Sequence, residues 1–97
     1  VTVTVTNRIE HQPEQRTFEI YVDDVLAGHA DYTQTDGVRD FDHTVVSPEF
    51  GGQGLAGQLV TAALDATRAE GFKIATSCSY VEKFVGKNTE YQDLLAA

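Results

Sequence analysis

The sequence predicts an α+β fold around one mixed sheet: a four-stranded antiparallel meander, then a helix, a parallel fifth strand and a C-terminal helix. Three observations predict it. The first half alternates apolar and polar residues at the period of strands; from Leu55 the apolar residues recur at helical spacing instead; and short links join the first four apolar runs, whereas a whole helix separates the fourth from the fifth. Ninety-seven residues hold material for one core, so residues 1–97 are read as a single domain.

Val and Thr alternate over residues 1–6, and the pattern runs on through Arg8 and Ile9 as a first strand. Phe18, Ile20 and Val22 alternate with Glu19 and Tyr21 in a second. Asp23-Asp24 signals a turn. Residues 26–33, with Ala30 and Tyr32 in phase, form a third strand, and Asp36-Gly37 is a hairpin signal. The fourth strand covers 38–46, with Phe41, His43 and Val45 expected on one face. Leu55, Leu59, Ala62, Ala63 and Ala66 mark a helix, widened by Val60 and Leu64 and closed by Gly71 as C-cap with Phe72 as its apolar contact. Residues 73–77 read as a short buried strand around Ile74 and Ala75. Tyr80, Val81, Phe84 and Val85 mark the second helix, and residues 88–91 a last turn with Thr89 and Gln92 at capping-box spacing. A strand–helix–strand crossover is right-handed, so the fourth and fifth strands should be parallel, in three layers overall.

Composition narrows the function. The formal charge of −8 opposes nucleic-acid binding, which needs clustered Lys and Arg. Residues 1–50 carry ten acids and three bases, residues 51–97 five and four, so a cationic substrate suits the first half and an anionic ligand the second. A solvated acidic surface is the plain alternative. No apolar run is long enough for a membrane span and no signal peptide is recognised. The single cysteine, Cys78, has no internal disulfide partner, which favours a reducing, cytoplasmic setting. His11, His29, His43 and Cys78 lack metal-ligand spacing, so no metal is expected. The chain is compatible with a monomer.

Four of the eight glycines, Gly51, Gly52, Gly54 and Gly57, crowd the start of the first helix, where glycine costs about 1 kcal/mol in a helix interior. A helix N-terminus offers unpaired amides and a partial positive charge, and glycines let a bulky anion, typically phosphate, touch them. A tight ligand-free connection needs fewer glycines. The Walker pattern fails for want of Gly-Lys-Ser/Thr. Gly52, Gly54 and Gly57 satisfy GxGxxG literally, but residues 74–77 lead to Cys78 rather than to the acidic ribose ligand of a dinucleotide fold.

Gly51-Gly52-Gln53-Gly54-Leu55-Ala56, between fourth strand and helix, resembles the Arg/Gln-x-x-Gly-x-Gly/Ala loop of the GNAT superfamily of N-acetyltransferases, with Gly51 at the Arg/Gln position. Residues 42–95 resemble more closely the small stand-alone GNAT-like family of about a hundred residues. Its members read His-Thr-x-Val-Pro before a Gly-x-Gly-x-Ala loop, then Cys-Pro-Phe-Val, then His-Pro-Glu-Tyr. Here His43-Thr44, Cys78-Ser79-Tyr80-Val81 and Asn88-Thr89-Glu90-Tyr91 stand at those places. This family lacks the early helices that shape the acceptor site of larger relatives, as this sequence does.

The resemblance implies a GNAT-like mixed sheet and an acetyl-CoA-dependent transferase acting on an amine. Val45 and Val46 would pair with the pantetheine arm, and the backbone of Gly51, Gly52, Gln53, Gly54, Leu55, Ala56 and Gly57 would hold the pyrophosphate. Cys78 and His43 are the implied catalytic candidates, as a Cys–His pair forming a transient acetyl-enzyme or with His43 alone deprotonating the amine. A buried, inert Cys78 and a core His43 are the structural alternatives. Tyr80 or Tyr91 could protonate the leaving thiolate, Lys83 and Lys87 could meet phosphates, and Glu49 is a weaker base candidate; packing or solvation explains each as well. Two other functions stay open: a CoA or acyl-CoA-binding module with little or no turnover, and a small interaction domain using its sheet edge.

Overall fold

The computed structural model describes residues 7–51 and 54–96. Five strands, β1 (Asn7–Gln12), β2 (Thr17–Val22), β3 (Val25–Thr35), β4 (Val38–Val46) and β5 (Lys73–Ala75), lie in the spatial order of the chain. The first four are antiparallel and β5 runs parallel to β4, as the crossover rule requires. Helix α1 (Leu55–Ala69) makes the crossover, and α2 (Ser79–Lys87) follows β5. The alternation expected for residues 1–6 lies outside the described residues.

Local chemistry sets the two tight hairpins. Asp23 and Asp24 have φ of 49° and 68°, Asp36 and Gly37 of 53° and 77°. Both central residues are left-handed in each turn, which matches the twist of the flanking strands and suits Asp and Gly. At the end of α1, Gly71 (φ 82°) lets its own amide reach Arg68 O and that of Phe72 reach Thr67 O, both at 3.1 Å.

Two irregularities reset the pleat. Ile20 pairs with Gly28 and Tyr21 with Leu26, leaving Ala27 extra on β3; Tyr32 pairs with Phe41 and Asp31 with His43, leaving Asp42 extra on β4. An extra residue inverts the alternation beyond it. The expected common face of Phe41, His43 and Val45 is therefore corrected. Phe41 is buried while His43 and Val45 are exposed, and Thr44 and Val46 continue the buried side. His43 is not a core histidine.

Three further expectations change. β5 stops at Ala75 rather than residue 77, because the Asp40 carboxylate takes the Ser77 amide (3.0 Å) and hydroxyl (2.7 Å) and turns the chain away. Thr89 and Gln92 form no capping box; Thr89 begins a 3₁₀ turn (Thr89–Leu94), and its N-cap Asn88 points Nδ2 back to Phe84 O. The described residues make two layers, not three. Both helices share one side of the sheet, where Tyr91 Oη donates to Asp65 on α1 (2.7 Å) and Tyr80 Oη lies 3.7 Å from where a Gly57 Cβ would stand. Only the short segment 13–16 joins β1 to β2, so among the described residues no helix before β2 covers the other side.

The helix-covered side holds a single core running from Phe18, Ile20 and Phe41 through Leu59 and Leu64 to Val81 and Val85. Within it lies Arg39, 2% exposed. Its guanidinium makes two bonds to Glu70 (2.7 and 3.1 Å) and one each to Thr67 and Gln34. The rings of Phe72 and Tyr32 lie 4.7 and 4.9 Å from its centre. Full pairing and aromatic faces make burial of this cation tolerable. Ile74 is bridged on its outer side to Leu95, and the Ala96 amide donates to Ile74 O (2.9 Å).

Candidate functional site

The link from β4 to α1 begins with a 3₁₀ turn, Pro48–Phe50, and an extended Gly51. Gly52 and Gln53, both expected in the phosphate loop, lie outside the described residues. Gly54 is the N-cap of α1 at φ 71°, a left-handed conformation in which any side chain is strained. The helix proper starts at Leu55, so of the clustered glycines only Gly57 lies in its first turn. The first bond of the helix is Gln58 N–H to Gly54 O (3.2 Å), and no side chain caps this end. The amides of Leu55, Ala56 and Gly57 thus precede the first helical donor, Gln58 N–H, have no intrahelical acceptor and are open to a ligand.

Two hollows meet on these glycines. One, of about 290 Å³, runs from Val46 and Phe50 past Gly51, Gly54 and Gly57 to Tyr80. The other, of about 560 Å³, is an open groove between α1 and α2, floored by Gly54, Gly57, Thr61 and Ala62 and walled by Phe84 and Asn88. Lys83 and Lys87 stand beside Phe84 and Asn88 at an adjoining hollow. An elongated anionic ligand laid from Val46 across the α1 amides would end near two ammonium groups.

β4 and β5 pair only over Val38–Asp40, after which they separate. Beyond Phe41, whose carbonyl accepts the Cys78 amide (2.8 Å), the β5-facing edge of β4 toward Val45 and Val46 has no strand partner among the described residues. Cys78 is the N-cap of α2, partly buried against the core, with its thiol donating to Thr44 Oγ1 at 3.7 Å. Burial pushes the thiol pKa up, but the amides of Val81 and Tyr80 at the helix start and the Thr44 hydroxyl more than offset it and leave the thiol below its ordinary value.

His43 is not beside Cys78. It lies on the uncovered side of β4, its ring 6.0 Å from that of His29, while Thr44, the sulfur's partner, points to the helix side. Thr44 is the site residue that sequence reasoning missed; its orientation depends on the Asp42 bulge. Tyr91 is committed to Asp65, and burial together with that bond raises its pKa to about 12. Glu49 is exposed and accepts a long bond from Ser47. Tyr80, 40% exposed, remains beside the glycine turn.

An α+β sheet whose last two strands part beside an uncapped, glycine-rich helix start is the acetyl-transfer class of fold. Residues 17–94 match the family model described as GCN5-related N-acetyl-transferase, and the chain belongs to that family. Protein NATD1 of Mus musculus is 31% identical over 83 residues, covering 84% of this chain and 76% of the relative. The solution structure of a GCN5-like protein from Staphylococcus aureus superposes with a TM-score of 0.71 at 29% identity, over 93% of this chain and 88% of that one. The PaiA N-acetyltransferase of Thermoplasma acidophilum, solved with coenzyme A, matches with a TM-score of 0.61 over 74% of this chain and 48% of its own. At 16% identity that last likeness concerns the fold alone.

Proposed function

We propose that the protein binds acetyl-CoA and transfers the acetyl group to a cationic amine in the cytoplasm. The observation that carries this reading is the set of open amides at Leu55, Ala56 and Gly57, which meets the unpaired edge of β4 in one continuous hollow. In it, Val45 and Val46 pair with the pantetheine arm. The backbone of Gly51 to Gly57, Gly52 and Gln53 included, holds the pyrophosphate, and Lys83 and Lys87 add charge at the far end.

The deprotonated amine attacks the acetyl carbonyl. The C–N bond forms, the C–S bond breaks, the coenzyme leaves as thiolate and takes up a proton, and the nitrogen sheds one. In the covalent variant the Cys78 thiolate, favoured by the Tyr80 and Val81 amides, takes the acetyl first and the amine displaces it. His43, on the other side of β4, serves the amine rather than the sulfur. The uncovered sheet side favours a second reading, a CoA-binding module with little turnover, because no helix walls an acceptor pocket among the described residues.

Calorimetric titration with acetyl-CoA tests the reading. Gly57 has room for a Cβ, so Gly57→Glu keeps the fold while placing a carboxylate in the cradle. Micromolar binding weakened at least about tenfold is expected, since one opposed charge at a phosphate site costs about 1.4 kcal/mol or more. A wild type that binds no acetyl-CoA refutes it. An acetyl adduct on Cys78 in the intact mass selects the covalent variant.

A further inference from the structure

We infer that His29 and Asp31 are positioning residues that hold a proton-accepting imidazole pair with His43 on the uncovered face of the sheet. This rests on the transferase reading. Thr17, Asp31 and His43 are direct neighbours across three strands: Thr17 pairs with Asp31 between β2 and β3, and Asp31 with His43 between β3 and β4. The buried Thr17 hydroxyl donates to Asp31 Oδ1 at 2.6 Å, and His29 Nδ1 lies 3.0 Å from the same oxygen. A carboxylate only accepts, so Nδ1 carries the hydrogen of this contact, and in the neutral ring Nε2 is then the acceptor. The ring centroids of His29 and His43 are 6.0 Å apart and the rings are tilted by 46°, so the two imidazoles are neighbours on this face. His43 makes no side-chain hydrogen bond among the described residues.

The surroundings suit an ammonium. Glu19 stands opposite His29 and Glu10 opposite Glu19, with the Tyr21 hydroxyl on the Glu19 carboxylate. Arg8, a cation on this side, is paired with Glu10 and Asp24. Asp40 is held by Ser77. The incoming ammonium gives one proton to the imidazole pair; its nitrogen then forms the C–N bond as the C–S bond breaks, its second proton ends on the departing coenzyme thiolate, and the imidazole returns the first to water. Asp31 fixes the tautomer and balances the imidazolium charge.

Long-range ¹H–¹⁵N NMR of the imidazoles tests this without turnover. His29 should be the Nδ1–H tautomer, and Asp31→Asn should abolish that preference; an Nε2–H tautomer overturns the inference. Kinetics with acetyl-CoA and spermidine supply the second readout. His29→Gln and Asp31→Asn should each lower kcat at least about tenfold. The KM for acetyl-CoA and the Tm should be unchanged, and the double variant should be no slower than the slower single one. Unchanged kcat, or losses that multiply, overturn it. A wild type that binds acetyl-CoA but acetylates neither spermidine nor a lysine peptide overturns the transferase reading and the relay together; normal turnover with the wrong tautomer overturns the relay alone.

Discussion

The two sides of the sheet use the same residue types in opposite ways. On the helix side Arg39 is enclosed by Glu70, Thr67, Gln34 and two rings, and the one histidine, His11, stacks on Phe18 at 4.0 Å with Nε2 2.7 Å from Tyr32 Oη. On the open side Arg8 bridges Glu10 and Asp24 in solvent, His29 is held by Asp31 through one ring nitrogen, and His43 makes no side-chain hydrogen bond among the described residues. The difference teaches which polar groups hold the fold and which are available for chemistry. A fully satisfied network inside the core rigidifies, whereas a carboxylate–imidazole pair at the surface adds little stability and so is open to other duties.

The sharpest break of this comparison is the arginine pair. Arg39→Ala removes a buried side chain and its bonds, and should cost about 3 kcal/mol or more. Arg8→Ala should leave the melting temperature within error; thermal unfolding of both variants measures the contrast. Next comes the strand seam beneath both sides. A Cβ at Gly28 would stand 2.6 Å from Val45 O, so Gly28→Ala should push β3 from β4 and cost about 1–3 kcal/mol, read from denaturant midpoints. Gly54→Ala, strained by its left-handed φ but free of contacts, should cost about 1–2 kcal/mol and weaken acetyl-CoA further than it weakens the fold.

Acidification probes His11. Burial, followed by the Arg39 charge, lowers the His11 pKa from its ordinary 6.5. Below about pH 6.5 the unfolded chain therefore takes a proton that the folded chain resists, and stability falls with falling pH. Glu70, held low by its bonds to Arg39, loses its contribution only below its ordinary 4.5. His11→Phe, which keeps the stack on Phe18, should flatten the melting temperature between about pH 7 and 5. The smallest effect concerns the thiol. Alkylation of Cys78 should reach half its limiting rate below pH 9.0, its ordinary pKa, and Thr44→Val should move that midpoint up.

Much of the fold was legible because its signals are local. Asp23-Asp24 and Asp36-Gly37 fix two hairpins through their own backbone preferences, and Gly71-Phe72 closes α1 in the same way. The bulge at Asp42 was not legible. Alternation across β4 reads as unbroken, and only the register with Tyr32 and Asp31 shows that the phase slips. That slip separates His43 from Cys78 and brings Thr44 to the sulfur. Arg39 was also hidden, since a charged residue in a strand reads as solvent-facing until Glu70 and Phe72, distant in sequence, close around it. The glycine cluster announced a ligand loop, but the division of labour, with Gly54 for its φ and Gly57 for open space, needed three dimensions.

β5 has three residues, held to β4 on one flank and to Leu95 and Ala96 on the other. Hydrogen exchange should find it opening long before the meander does, because so short a strand defines a low-energy unit of local unfolding. Cys78 follows directly from it. Breathing of this strand would therefore widen the gap beside Thr44 while leaving β2, β3 and most of β4 protected.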